Sequence, residues 1–406
     1  MRVLDLNTLW IDAGEGGVNT YLREKARWLA ESSVLRGRSI RHALVVPGGR
    51  TGIARIGSTT VYTLKSPRLP ANPQHRVLIS LGRVAEILRE ESPDIVEVDT
   101  SYVLGHTASR ALLGRKAAII GFHHAHLPWL YTRPGRSAIR NRLARRTEPL
   151  AWAYSRWCSS PCDVVAVSTR DMLERLSGRG FPPLVHVPLG VNLDLFRPRV
   201  NGSKAAFPGV DPERPVVLYV GRLGREKELS VLFEAHRELQ VESGVQLLLA
   251  GDGPLRRTAQ RFARSRRGVV YAGICPYGER LAELYRAADV LAVPGRSETF
   301  SLIVLEASAS GLPVVAADAG GPVELCRHGL GTLARAGDAR DFAVKLRTAL
   351  ARPGVCEASR RHVEGHYSWE GTFTRLLDVY ESVLSKRRPT PAPQLDRPIE
   401  ELSTNH

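Results

Sequence analysis

Short runs of apolar, mostly β-branched residues alternate along this chain with longer stretches whose apolar positions recur every three to four residues. In the first half the runs fall at 3–6, 42–46, 95–98, 117–122, 164–167 and 185–187, and stretches such as 19–31 and 80–91 separate them. Few polar residues break the runs, so they predict strands covered on both faces rather than a sheet with one wet side. Such strands, joined by amphipathic helices, predict the βαβ grammar of a doubly wound α/β fold.

The pattern stops and then restarts. Between Pro188 and Pro215 lie Pro198, Pro208, Pro212 and several glycines, a composition that breaks helix and strand alike and predicts a connector. Beyond it, runs at 216–220, 246–250, 269–272, 290–293 and 314–317 repeat the grammar of the first half. The expected organisation is a Rossmann-like domain over 1–190, a linker over 191–215, a second Rossmann-like domain over 216–366, a helix over 367–386 and a disordered tail over 387–406. The tail is Pro-rich and too polar to bury. Two such units face each other across a cleft, and ligands in these sheets sit at the carboxyl ends of the strands.

Length agrees with two domains, since 406 residues exceed what one core organises at about 100–200 residues per domain. No run of about 18 apolar residues appears, and Met1-Arg2-Val3-Leu4-Asp5-Leu6 sets charges where a signal-peptide core would lie. A cytoplasmic protein that does not span a membrane is expected. The cysteines Cys158, Cys162, Cys275, Cys326 and Cys356 are few, odd in number and scattered, which suits a reducing compartment better than a disulfide framework. Cys158 and Cys162 lack the second pair that a zinc site would need. Lysine and arginine number 57 against 41 acids, a net charge of +16, so the surface attracts anions such as nucleic acid, anionic lipid or sugar diphosphates.

Candidate chemistry sits at strand ends of the second half. After the run ending at Pro294 comes Gly295-Arg296-Ser297-Glu298-Thr299-Phe300-Ser301-Leu302, with a helix predicted to begin near Ser301 and stop before Gly311. Free amides at that helix start would face the cleft as an anion site. Glu298 and Glu306 offer carboxylates to hydroxyl groups on either side of a diphosphate, although taken alone they read more simply as a loop charge and a solvated helix acid. They are not alone. Gly221-Arg222-Leu223-Gly224-Arg225-Glu226-Lys227 ends the first strand of this half, where glycine lets the backbone approach a ligand and both Arg222 and Lys227 can reach a phosphate. That segment is neither a dinucleotide fingerprint nor a P-loop, which disfavours an NAD-dependent dehydrogenase, and no Gly-x-Ser-x-Gly elbow supports a serine hydrolase. Ala250-Gly251-Asp252-Gly253-Pro254 brings another sharp turn to the same edge, as a ligand loop or a plain turn.

In this combination the second half resembles the family 4 glycosyltransferases, retaining enzymes of the GT-B fold. The segments around Arg222 and Lys227, the Gly251-Asp252-Gly253-Pro254 turn, the spaced pair Glu298 and Glu306, and Ala317-Asp318-Ala319-Gly320-Gly321 occur in the family's order. In the first half, Gly16-Gly17-Val18 resembles the family's glycine loop. Gly121-Phe122-His123-His124-Ala125-His126-Leu127-Pro128 resembles the strand end carrying its active-site histidine, with His124 in that role and His126 in place of an aspartate. Pro188-Leu189-Gly190-Val191-Asn192 and Phe196-Arg197-Pro198 resemble the domain junction, and the helix at Trp369 the segment that crosses back onto the first domain. The resemblance covers nearly the whole chain except the tail.

The resemblance implies a GT-B fold with an acceptor-binding first domain, a donor-binding second domain, and retaining hexosyl transfer from a GDP- or UDP-linked nucleotide sugar. GDP-mannose leads, because the Gly-Phe-x-His segment is similar to that of bacterial α-mannosyltransferases. It implies catalytic roles for His124, Arg222, Lys227 and Glu298. It implies a donor site built from Gly16, Gly17, Arg222, Lys227, Gly251, Gly253, Glu298, Thr299, Phe300, Ser301, Leu302 and Glu306. Arg222 and Lys227 would neutralise the leaving diphosphate, Glu298 would hold sugar hydroxyls, Glu306 the ribose, and His124 would orient the sugar near the reacting carbon. No cofactor or metal is implied, and a zinc reading of His123, His124 and His126 has an awkward spacing. Two departures stand out: Ser301 where the family often has glycine, and Gly295 where serine is common, the second expected to matter less.

The expected acceptor is a hydroxyl group, and lipid, polysaccharide and small-molecule acceptors all suit such a cleft. Arg133, Arg136, Arg140, Arg142, Arg145 and Arg146 follow Trp129-Leu130-Tyr131 and would set a basic face beside an aromatic patch. That face suits peripheral contact with anionic membrane, on the inner side of the cell membrane, or plain solvation. A second cluster, Arg256, Arg257, Arg261, Arg264, Arg266 and Arg267, is expected to face solvent. Nucleic-acid binding lacks a recognition motif; a basic RNA- or membrane-binding protein with an inactive transferase fold is the alternative.

Overall fold

The computed structural model describes residues 1–11, 16–31, 34–35, 37–70, 72–100, 102–124, 138–199, 204–351 and 356–387. Trp129, Leu130, Tyr131, His126, Arg133, Arg136 and residues 388–406 lie outside them. Every apolar run singled out above is a strand, with ends shifted by at most two residues. The first half forms an eight-stranded sheet in the order Leu184–His186, Val164–Val167, Ala118–His123, Ile95–Asp99, Arg2–Leu6, Arg41–Gly48, Thr59–Lys65, Gly52–Ile56. All neighbours are parallel except the last pair. The second half forms a six-stranded parallel sheet in the order Val269–Gly273, Gln246–Ala250, Val216–Val220, Val290–Val293, Val314–Ala317, Thr332–Ala334. Residues 246–250 and 290–293 are buried throughout, as strands sandwiched between helix layers must be.

Elements that escape hydrophobic periodicity lie towards the edges of the two main sheets or outside them. Gly52–Ile56 is exposed along its whole length and pairs antiparallel with Thr59–Lys65, closing one edge of the first sheet. Leu9–Ile11, Arg68–Leu69 and Asn72–Val77 form a separate three-stranded antiparallel sheet. None of these strands carries an unbroken apolar run of about four residues or more, and Pro73 interrupts the last, so hydrophobic periodicity does not mark them.

Under the first sheet lies a buried polar network with no local sequence signature. Lys25 donates to Asp5 Oδ1 at 2.7 Å and to the Tyr380 hydroxyl at 2.9 Å, and sits 3.1 Å from Glu97 Oε2. Tyr21 and Tyr380 donate to the two oxygens of Glu97, and His42 bridges Asp5 and Thr59. Burial works against both charges of the Lys25–Asp5 pair, but each holds the other ionised: Asp5 stays below its ordinary value and Lys25 above. Because Tyr380 belongs to the helix Trp369–Arg387, the network ties the end of the chain to the first sheet. Trp28–Phe373 ring contact and the Arg387–Asp163 ion pair add to that attachment. Removing one member of such a buried set costs about 3–5 kcal/mol.

Candidate active site

The carboxyl ends of both sheets open into one cavity of about 380 Å³. From the second sheet it takes Gly221, Arg222, Lys227, Gly251 and the segment 298–303 with Glu306; from the first half it takes Gly16, Gly17, Gln74, His75 and His124. Of the residues assigned to the donor site, Gly253 is the exception. It does not line the cavity, and its φ of +154° instead lets the turn pass Leu223, whose carbonyl oxygen would lie 2.6 Å from an added Cβ.

The loops that shape the second-sheet wall are locked against each other by glycine. At Gly251 a Cβ would fall 2.0 Å from the Gly221 carbonyl oxygen, and the Leu223 amide donates to the Asp252 carbonyl at 2.8 Å, so consecutive strand ends brace one another. Gly321 lies under the 298–300 turn, donating its amide to the Glu298 carbonyl at 2.8 Å. Gly295 is less neutral than expected: its Cβ position is 3.0 Å from Lys227 Cα, where two loops cross.

Both expected phosphate ligands are present, and both already have partners. Lys227 donates to Glu298 Oε1 at 2.5 Å, and Arg222 donates to Glu226. The first contact joins residues 71 positions apart, and brings the two segments singled out from sequence face to face. Glu306 corrects the solvated reading: it is 5% exposed, and Tyr285 donates to its Oε2 at 2.5 Å. Burial pushes its carboxyl up to about 7, against the Tyr285 hydrogen bond.

Ser301 precedes the helix Leu302–Ala309 with φ 81° and ψ 72°, a left-handed conformation. That explains why glycine suits the position. Its hydroxyl caps nothing and is buried without a hydrogen-bond partner.

On the opposite wall His124 stacks flat on Phe122, with centroids 4.3 Å apart, and lies against Tyr21. Burial, with the neighbouring His123 and Lys25, pushes its imidazole down to about 3, so it is neutral across the physiological range. Thr299 reaches across the cleft to donate to the His124 carbonyl at 3.0 Å. His123 points away and pairs with Thr100 at 2.9 Å, so it shares no site with His124. Among the described residues no cluster of three or more His, Cys, Asp or Glu is poised for a metal.

Sequence reasoning missed Gln74 and His75. They reach the cavity on the three-stranded sheet, and His75 carries a buried, unpartnered Nδ1. Burial, with Arg222 nearby, holds its ring below the usual histidine value. Only Val77 is β-branched in 72–77 and Pro73 interrupts the segment, so no local signal marked it as a strand.

The basic clusters divide. Arg256, Arg257, Arg261, Arg264, Arg266 and Arg267 are all exposed. Arg140, Arg142, Arg145 and Arg146 fall on the helix Ala138–Ser159, where Arg146 is exposed. Farther along that helix Leu150, Tyr154 and Trp157 are also exposed. No helix among the described residues is long and apolar enough to cross a membrane.

Comparison with known proteins covers both halves. The family described as Glycosyltransferase Family 4 matches residues 15–195, and that described as Glycosyl transferases group 1 matches residues 214–352. A D-inositol 3-phosphate glycosyltransferase of Geodermatophilus obscurus is 33% identical over 90% of this chain and 84% of its own. A GDP-mannose-dependent alpha-mannosyltransferase of Mycolicibacterium smegmatis is 31% identical over 84% of this chain and 88% of its own. Among solved structures, sucrose-phosphate synthase of Thermosynechococcus elongatus superposes with a TM-score of 0.76 at 21% identity, over 95% of this chain and all of that one, a likeness of fold.

Proposed function

This chain belongs to the group 1 glycosyltransferases, and from that premise we propose that it moves a hexose from a nucleotide sugar to a hydroxyl acceptor with retention of configuration. The reading rests on one observation: paired cations at a strand end, carboxylates flanking a helix start and a neutral imidazole from the opposite sheet line a single cleft.

Breaking a glycosyl phosphate bond builds negative charge on the diphosphate and positive charge on the ring. In this mechanism Arg222 and Lys227 exchange their carboxylates for the diphosphate as it departs. Glu298, released from Lys227, takes sugar hydroxyls, and Glu306 takes the ribose. An imidazole with a pKa of about 3 is too weak a base to accept the acceptor's proton at neutral pH. His124 therefore orients the sugar, and the proton goes to the departing phosphate oxygen. Attack from the face the phosphate leaves retains the anomeric configuration.

GDP-mannose is the donor that the mannosyltransferase relative's name favours, with UDP-sugars the alternative. The acceptor hydroxyl belongs to a lipid or a glycan, and the enzyme works in the cytoplasm, peripherally on the inner face of the membrane. Residues 1–190 bind the acceptor and 216–366 the donor, joined by 191–215, with 367–386 crossing back. A thermal-shift panel of GDP- and UDP-linked sugars tests the donor: no stabilisation by any of them overturns the reading. NMR of the product tests retention, since an α-linked donor must yield an α-linkage.

A further inference from the structure

Three residues other than glycine hold positive φ among the described residues: Ser92, Glu228 and Ser301. Two of them have a compensating bond. Ser92 donates to the Arg89 carbonyl at 2.9 Å, and Glu228 accepts from Arg296 at 2.7 Å. Ser301 has none, although it is 7% exposed.

A serine before a helix normally sits in extended backbone and accepts a hydrogen bond from the second or third amide of that helix. The left-handed backbone of Ser301 turns its side chain off that course, and the hydroxyl caps nothing. The residue thus combines two unfavourable features, a Cβ in left-handed backbone and a dry, unpaired hydroxyl. Glycine would remove both. The turn itself is fixed by its surroundings, since Gly320 and Gly321 pack beneath it and the Val304 amide donates to the Ser301 carbonyl at 3.0 Å.

Ser301 lines the cleft, and its covered hydroxyl sits at the start of Leu302–Ala309, whose first amides have no acceptor within the helix. An anion entering here competes with Glu226 for Arg222 and with Glu298 for Lys227. It competes with nothing for Ser301, and the hydroxyl has already lost its water.

We propose that Ser301 is a specificity residue for the diphosphate of the donor: its hydroxyl donates to a non-bridging oxygen of the second phosphate, and the ligand supplies the partner that the empty turn lacks. The proposal rests on the donor-site reading above and deepens it. It makes this chain more selective for diphosphate over monophosphate than a glycine at 301 would.

The test is calorimetric titration of wild type, Ser301→Gly and Ser301→Ala with GDP, GMP, UDP and UMP, with melting of the ligand-free proteins alongside. Both variants should bind the better diphosphate about tenfold more weakly, the effect of one lost hydrogen bond to a charged group, with monophosphate affinity unchanged. Both variants should melt higher than wild type, Ser301→Gly more than Ser301→Ala, because glycine removes the strain as well as the orphaned hydroxyl. Wild-type affinity for the diphosphate in both variants overturns the proposal while leaving the donor site standing. An equal loss for mono- and diphosphate overturns it too, by moving the contact off the second phosphate. Wild type that binds none of the four overturns the donor-site reading, and the proposal with it.

Discussion

The wall of the cleft built by the second sheet carries charge in ready-made pairs, Arg222 with Glu226 and Lys227 with Glu298, whereas the facing wall offers Gln74, His75 and His124, all neutral at physiological pH. A departing diphosphate needs positive charge that is available on demand without sitting unpaired in a partly dry cavity, and exchangeable ion pairs provide it. An incoming hydroxyl needs orientation and little else. Under the proposed function, the difference between the walls would follow the difference between the two ends of the reaction.

Removing the cations of the charged wall is the strongest way to break this contrast. Arg222→Ala with Lys227→Ala should lower turnover about 10³-fold while the melting temperature stays within a few degrees; a comparable loss of both would mean the pairs are structural. On the neutral wall, His124→Asn should cost about tenfold in turnover and leave the shape of the pH–rate profile unchanged, since the step that Glu306 gives near 7 is common to both proteins. A step present in the wild type and lost in His124→Asn would mean that the imidazole titrates and acts as a base.

Glu306 sharpens the comparison from beneath the charged wall. Its folded-state value is raised from 4.5 to about 7, so its contribution to stability is complete below the unfolded value and is lost as pH rises through 7. Glu306→Gln, which cannot ionise, should melt close to wild type at pH 5 and above it at pH 8, while the donor KM rises. Parallel melting curves across that range would contradict a buried acid at this position. The smallest effect is expected at His75, where alanine should raise the acceptor KM about fivefold and leave the donor KM alone, the value of one neutral hydrogen bond. A change in donor KM instead would move His75 to the other side of the reaction.

Much of the charged wall was legible in the amino-acid order. Arg222, Lys227, Glu298 and Glu306 lie beyond the ends of two adjacent parallel strands, and such strands announce themselves as unbroken apolar runs because both their faces are covered. The neutral wall was half legible. His124 follows a strand of that kind, but His75 rides on Asn72–Val77, a mostly polar strand with a proline and no apolar run. Gly253 is the converse case: its motif read as a ligand loop or a plain turn, and it packs against Leu223 rather than lining the cavity.

What the sequence by itself determined is the fold class, the two-sheet architecture and the residue types that reach the cleft, because periodicity and turn chemistry act between near neighbours. Tertiary structure alone decided how those residues are paired. Lys227 meets Glu298 across 71 positions, Lys25 meets Tyr380 across 355, and the turn at 298–300 that leads into Ser301 packs on glycines from a following strand end. Each contact depends on which strand ends the topology makes adjacent, and that adjacency has no period along the chain. The protonation of Glu306 and His124 follows from the same cause, since burial exists only once the elements have packed.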